Sequence, residues 1–225
     1  MHCMFSCRPG AGKHMGMDTV KAALKLAQDH GHSVFIGGGE PTLHPQFWEI
    51  VGLCLKVNAE PSWSAGMALT GLVTNGSQTD DALALARLAE QGMLMVSLSR
   101  DQYHRCYSID DCVVKAFTKN LQPRHRETRD GNDLRDLRGY IINIIPAGRA
   151  KRLLGGKIEK GSSGCSCGDY HVNPDGTIYQ CGCRKVSVGN VFDGFDEGID
   201  AWGEWNCSSA GFPPPRIEEE EEAVA

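Results

Sequence analysis

Residues 33–45 read SVFIGGGEPTLHP. Ser33 to Ile36 reads as a short buried strand. It runs into three glycines, a carboxylate and a proline that fixes the turn. Glycine lets backbone approach a ligand closely, but it makes a loop entropically costly. Three glycines ahead of Glu40 therefore point to something that needs the room. An ordinary strand–helix turn, the bland alternative, does not call for them.

The pattern on either side is strand–helix alternation. Before the strand, Met17 to His30 carries Val20, Ala23, Leu24 and Ala27 at helical spacing, with Asp18 in the first turn and Gly31 as the stop. After it, a helix is predicted from about Pro45 to Val57, with Phe47, Ile50, Val51 and Leu55 apolar. A strand follows over Ala68–Thr74, then a helix over Asp80–Glu90 capped by Thr79 and ended by Gly92. Met93–Leu98 is the next strand. Ser108, with Asp111 three residues on, resembles a capping box opening another helix. Gln122–Arg138 is charged and reads as an exposed loop, and Tyr140–Ile145 as a last buried strand closed by Pro146. Repeated alternation of this kind implies a parallel sheet covered by helices. From about Gly155, Gly, Ser and Cys dominate and helical periodicity is lost. The end, a PPPRI run and five Glu, reads as a solvated disordered tail.

In parallel α/β folds, ligands bind at the carboxyl ends of the strands. The residues predicted there are Gly37-Gly38-Gly39-Glu40-Pro41, then Thr74-Asn75-Gly76, then Ser97, Ser99 and Asp101. All are small or polar, and all are expected on one rim. Thr74-Asn75-Gly76 taken alone is more simply an ordinary turn.

Composition excludes several classes. The chain has 225 residues, 41% of them apolar, and a net charge of −5. There is no basic stripe, so no case for nucleic acid. The longest apolar run, around Tyr140–Pro146, falls far short of the ~20 residues of a membrane span. No apolar leader is visible at the start. Ten cysteines without a leader argue for metal or redox chemistry rather than a disulfide framework. The expectation is a cytoplasmic protein with no membrane or nucleic-acid partner.

GGGEPTLHP resembles the GGE-type motif of the radical S-adenosylmethionine (SAM) superfamily, and Thr74-Asn75-Gly76 and VSLSRD are similar to that family's later loops. The likeness spans roughly residues 1–150. It implies that Gly38, Gly39, Glu40 and Pro41 form the turn that binds the methionyl amino group of SAM. It further implies that Thr74, Asn75 and Ser97 or Ser99 lie at the same site. It also accounts for thiols at the very start, MHCMFSC. The family's hallmark is CxxxCxΦC, whose three thiolates hold a [4Fe–4S] cluster. Here the hallmark is incomplete. If Cys3 and Cys7 are its leading pair, the third position falls on Gly10. If His2-Cys3 closes the motif, two cysteines lie upstream of Met1 and Cys7 is extra. The second alignment is preferred, because His2 fits Φ. Either way the family's first strand is missing, so the chain reads as truncated at its start.

The stretch CSCGDYHVNPDGTIYQCGC puts Cys165 and Cys167 before, and Cys181 and Cys183 after, a predicted hairpin with its turn at Pro174-Asp175-Gly176. Four sulfurs gathered at a hairpin's ends suit tetrahedral zinc or an iron–sulfur cluster. The G-x4-C spacing of GTIYQC is similar to the SPASM and twitch extensions of radical SAM proteins, which implies an auxiliary iron–sulfur cluster. Cys207 is a weaker candidate ligand. Cys54 reads as core, and Cys106 and Cys112 as structural.

The fold expected is α/β: a partial (β/α) TIM-like barrel over 1–154, a small Cys-rich hairpin extension over 155–211 and a tail over 212–225. The function the resemblance implies is reductive cleavage of SAM and hydrogen abstraction, with a peptide or protein the favoured substrate and flavodoxin or ferredoxin the electron donor. The rival reading is a non-catalytic protein holding zinc at the CxC pairs.

Overall fold

The computed structural model describes residues 12–58, 70–99, 109–118, 135–138, 170–180 and 187–195, with the backbone alone at 135–138 and 195. In chain order the elements are α1 (Met17–Asp29), β1 (Val34–Ile36), a 3-10 turn (Pro41–Leu43), α2 (Phe47–Asn58), β2 (Thr70–Thr74) and α3 (Thr79–Glu90). They continue with β3 (Met95–Ser99), α4 (Asp111–Thr118), β4 (Arg135–Arg138), β5 (His171–Val172), β6 (Thr177–Tyr179), β7 (Ser187–Asn190) and β8 (Gly194–Phe195).

One helix-to-strand turn is used twice. After α1, Gly31 takes φ +68°, its N–H bonds the Gln28 carbonyl and the His32 N–H bonds the Ala27 carbonyl at 2.8 Å. After α3, Gly92 takes φ +72° and makes the equivalent bonds, Gly92 N–H to Ala89 and Met93 N–H to Leu88. Each glycine satisfies the last helical carbonyls in a left-handed conformation that a side chain would oppose. Each turn then delivers the chain directly into a strand, β1 or β3.

β1, β2, β3 and β4 form one parallel sheet in sequential order. Their helices lie on one face of it. Phe47 and Val51 of α2, Leu85 and Ala89 of α3, and Val113 and Phe117 of α4 share a buried cluster with Leu72, Val96 and Leu98 of the strands. Val20 and Leu24 of α1 pack on Ile50 and Cys54 of α2 in a second cluster, beside Val34 and Ile36. Burial pushes the Cys54 thiol up to about 11, against a hydrogen bond with Thr70 that lowers it, so this cysteine is a protonated core residue. Cys112, by contrast, is exposed on α4.

The other face of the sheet is differently made. A Cβ on Gly71 would lie 2.6 Å from the Phe35 ring and 3.5 Å from Met95 Cβ, which puts these three residues together. Strand alternation adds Val73, Ser97 and Ser99 to that face. Phe35 is 48% exposed there.

The C-terminal strands β5 to β8 form an antiparallel sheet in sequential order. Gly176, at φ +84°, closes the β5–β6 turn, and its carbonyl accepts the Val191 N–H at 2.9 Å. A Cβ there would meet Asn190 Oδ1 at 2.8 Å, so the two hairpin turns lock against each other. Ile178, Val188 and Val191 pack on Ala22, Ala23 and Leu26 of α1. This sheet therefore rests on the flank of the first helix.

Two local expectations change. Thr79 is the first residue of α3 and Gln78 its cap, without a side-chain bond; the Thr79 hydroxyl donates instead to Asp110 Oδ2 ahead of α4. The charged stretch predicted as loop contributes β4, paired in register with β3 from Val96↔Arg135 to Ser99↔Arg138. An edge partner needs only backbone hydrogen bonds, so apolar alternation is not required of it. The predicted strand at 140–145, Ser108, Cys106 and the tail lie outside the described residues.

Candidate cofactor-binding rim

Glu40 follows β1 and caps the 3-10 turn with φ −135° and ψ +114°. Pro41 begins that turn, where its missing N–H and fixed φ suit the first position. The carboxylate faces inward onto the chain. Its Oε1 accepts the Thr42 hydroxyl at 2.8 Å, the Thr42 N–H at 3.3 Å and the Thr74 hydroxyl at 2.8 Å. Its Oε2 accepts the Asn75 N–H at 2.7 Å. Thr74 in turn accepts the Gly76 N–H at 3.0 Å, and Asn75 Oδ1 accepts the Ser77 N–H at 2.8 Å.

GGGEP and Thr74-Asn75-Gly76 are thus one hydrogen-bonded unit, 34 residues apart in sequence. It sits where the parallel ladder ends on two adjacent strands. Thr74 is wholly buried and Thr42 nearly so. A hydroxyl in such a place must be paired, and both are. Gly76 has φ +72°, and a Cβ there would come within 2.8 Å of Leu98 Cδ1 and 3.3 Å of Val113. The turn that looked ordinary is fixed from above by Glu40 and from below by the core.

Gly37 and Gly38 behave differently from Gly76. A Cβ on either meets nothing within 4 Å among the described residues. Gly38 has φ +131°, which favours glycine on conformational grounds; Gly37 has no such constraint. Packing among the described residues does not explain Gly37. Gly39 continues the loop, and Ser97 and Ser99 flank Leu98, the register partner of Thr74. Glu40 and Thr74-Asn75-Gly76 are therefore brought together at neighbouring strand ends, with Ser97 inside β3 and Ser99 at its end.

His44 was not foreseen as part of this unit. Its Nδ1 accepts the Gln46 N–H at 3.0 Å, so Nε2 carries the hydrogen and donates to the Met15 carbonyl at 2.9 Å. The His14 ring stands edge-on to it at 5.0 Å. His44 thereby ties the segment that follows the N-terminal cysteines to the loop that follows β1. Thr42 and His44 both lie in the quoted motif; Thr42 bonds Glu40 two residues back, whereas the Met15 partner of His44 comes from a distant segment.

Cys3, Cys7, Cys165, Cys167, Cys181 and Cys183 lie outside the described residues, as do Asp101 and Cys207. Among the described residues no three His, Cys, Asp or Glu side chains gather in a way that would hold a metal ion. No described helix is long and apolar enough to cross a membrane.

Residues 1–107 match the family model of the Radical SAM superfamily. The match takes in β1, β2 and β3 and the whole Glu40–Thr74 unit. No curated protein and no solved structure matches the chain. The match stops short of half of the chain, and leaves out β4 and the C-terminal sheet.

Proposed function

We propose that this protein is a radical SAM enzyme that acts on a peptide or protein. The observation that carries the reading is the joined rim. Two loops named by the family resemblance meet at adjacent parallel strand ends, beside a glycine whose missing side chain would meet nothing within 4 Å among the described residues. The residues present fit a SAM methionyl group. Gly38 and Gly39 would offer backbone, Glu40 and Asn75 would shape the turn around the amine, and Ser97 or Ser99 would border the same space. Cys3 would ligate the cluster in either alignment of the motif, and Cys7 in the one where the two form its leading pair. When bound, cluster and SAM together supply reductive SAM cleavage and a radical able to take hydrogen from a substrate.

The architecture in this reading is a partial barrel. Sequential parallel order with every helix on one face is how such a barrel is built, whereas doubly wound sheets reverse their order. The half-open face bearing Phe35 and Ser97 would then be the inner one. The C-terminal sheet would be a twitch-like extension, with Cys165, Cys167, Cys181 and Cys183 holding an auxiliary iron–sulfur cluster, and flavodoxin or ferredoxin would deliver electrons.

The test is spectroscopic. Protein reconstituted anaerobically with iron and sulfide, then reduced, should show an iron–sulfur electron paramagnetic resonance signal that shifts on adding SAM. A colourless protein carrying stoichiometric zinc, with no response to SAM, would sink the proposal in favour of a metal-binding module.

A further inference from the structure

A carboxylate offers about four acceptor positions. In this chain Oε1 of Glu40 already takes two hydroxyls and a weaker N–H, and Oε2 takes a short N–H. Little acceptor capacity is left for a ligand ammonium, which brings three hydrogens. The bonds instead link three pieces of backbone: the 3-10 turn through Thr42, the end of β2 through Thr74, and the following loop through Asn75. Thr74 is the keystone of the set. Its hydroxyl donates to Glu40 and accepts from Gly76, so one buried oxygen connects the carboxylate to the peptide after the loop's Asn75.

We propose that Thr74 is a positioning residue and that Glu40 serves the cofactor mainly as a brace. On this account Glu40 and Thr74 hold the loops after β1 and β2 at a fixed separation, and the backbone of those loops makes the ligand contacts. The inference rests on the radical SAM reading for the identity of the ligand, but the brace itself can be observed without it. Removing the Thr74 hydroxyl would leave the buried Gly76 N–H unpaired and free one side of Glu40. The rim would loosen although no ligand-contacting group had been deleted.

The experiment compares Thr74→Val, which keeps the shape, with Thr74→Ser, which keeps the hydroxyl. In protein without SAM, amide exchange at Asn75 and Gly76 should accelerate tenfold or more in Thr74→Val and remain near wild type in Thr74→Ser, with β3 amides unaffected in both. In reconstituted protein, the dissociation constant for SAM should rise about tenfold in Thr74→Val and within about twofold in Thr74→Ser. Combining Glu40→Gln with Thr74→Val should cost no more than the worse single change, because both break the same brace. Unchanged exchange in Thr74→Val overturns the brace, and so do losses that multiply in the double variant. If wild-type protein fails to bind SAM, the radical SAM reading falls, and the exchange data alone decide for or against the brace.

Discussion

Glycines 37 and 76 separate what the fold needs from what a ligand needs. Gly76 sits at φ +72° with its missing side chain pressed against Leu98, Ile109 and Val113. Gly76→Ala should therefore destabilise the protein by about 2–4 kcal/mol, from left-handed strain and overpacking together, measurable as a lower urea midpoint. Gly37→Ala meets no neighbour among the described residues and no forced φ. It should leave the unfolding free energy within about 0.5 kcal/mol of wild type while weakening SAM binding. A Gly37→Ala protein that binds SAM normally would mean that the space beside β1 is not the cofactor's. At this scale the sequence was partly legible. Three glycines before a carboxylate stood out, and Cys54 declared itself core by its place on an apolar helix stripe. The roles of Thr74 and His44 were not readable, because the partner of each lies in a segment that only folding brings near. A threonine two residues after an acid, as in Glu40-Pro41-Thr42, was the one local hint.

Helix α1 shows how an element's pattern can be seen and its partners missed. The stripe Val20, Ala23, Leu24 and Ala27 was visible as periodicity and reads as a single face. The structure divides it: Val20 and Leu24 go to α2, whereas Ala22, Ala23 and Leu26 go to the C-terminal sheet. Leu26→Asp should release that sheet, since a carboxylate would have to be buried unpaired for docking to persist. The expected sign is faster amide exchange over 171–179 and 187–190 with β2 and β3 still protected. Equal protection of both sheets in the variant would contradict the docking role given to Leu26. β4 was missed for a different reason. Arg135-Asp136-Leu137-Arg138 carries no strand signal of its own; its identity comes from β3 alongside it. The helix-ending glycines, Gly31 and Gly92, were legible because their chemistry is local.

Across the molecule, two sheets of opposite kind meet on one helix. The parallel sheet was legible because alternation of strand and helix leaves few topologies open. The antiparallel sheet was legible only in its first hairpin, where Pro174-Asp175-Gly176 marks the turn. Its continuation through β7 and β8, and its seat on α1, depend on contacts such as Val191 with Gly176 that no short stretch encodes. The central claim is that the Glu40–Thr74 rim, with the N-terminal cysteines, serves reductive SAM cleavage. Anaerobically reconstituted protein, given SAM and dithionite, tests it through the release of 5′-deoxyadenosine. The account expects release that depends on reduction and falls sharply in Cys3→Ala. Protein that binds iron and sulfide yet yields no 5′-deoxyadenosine, or yields the same amount without Cys3, would contradict it.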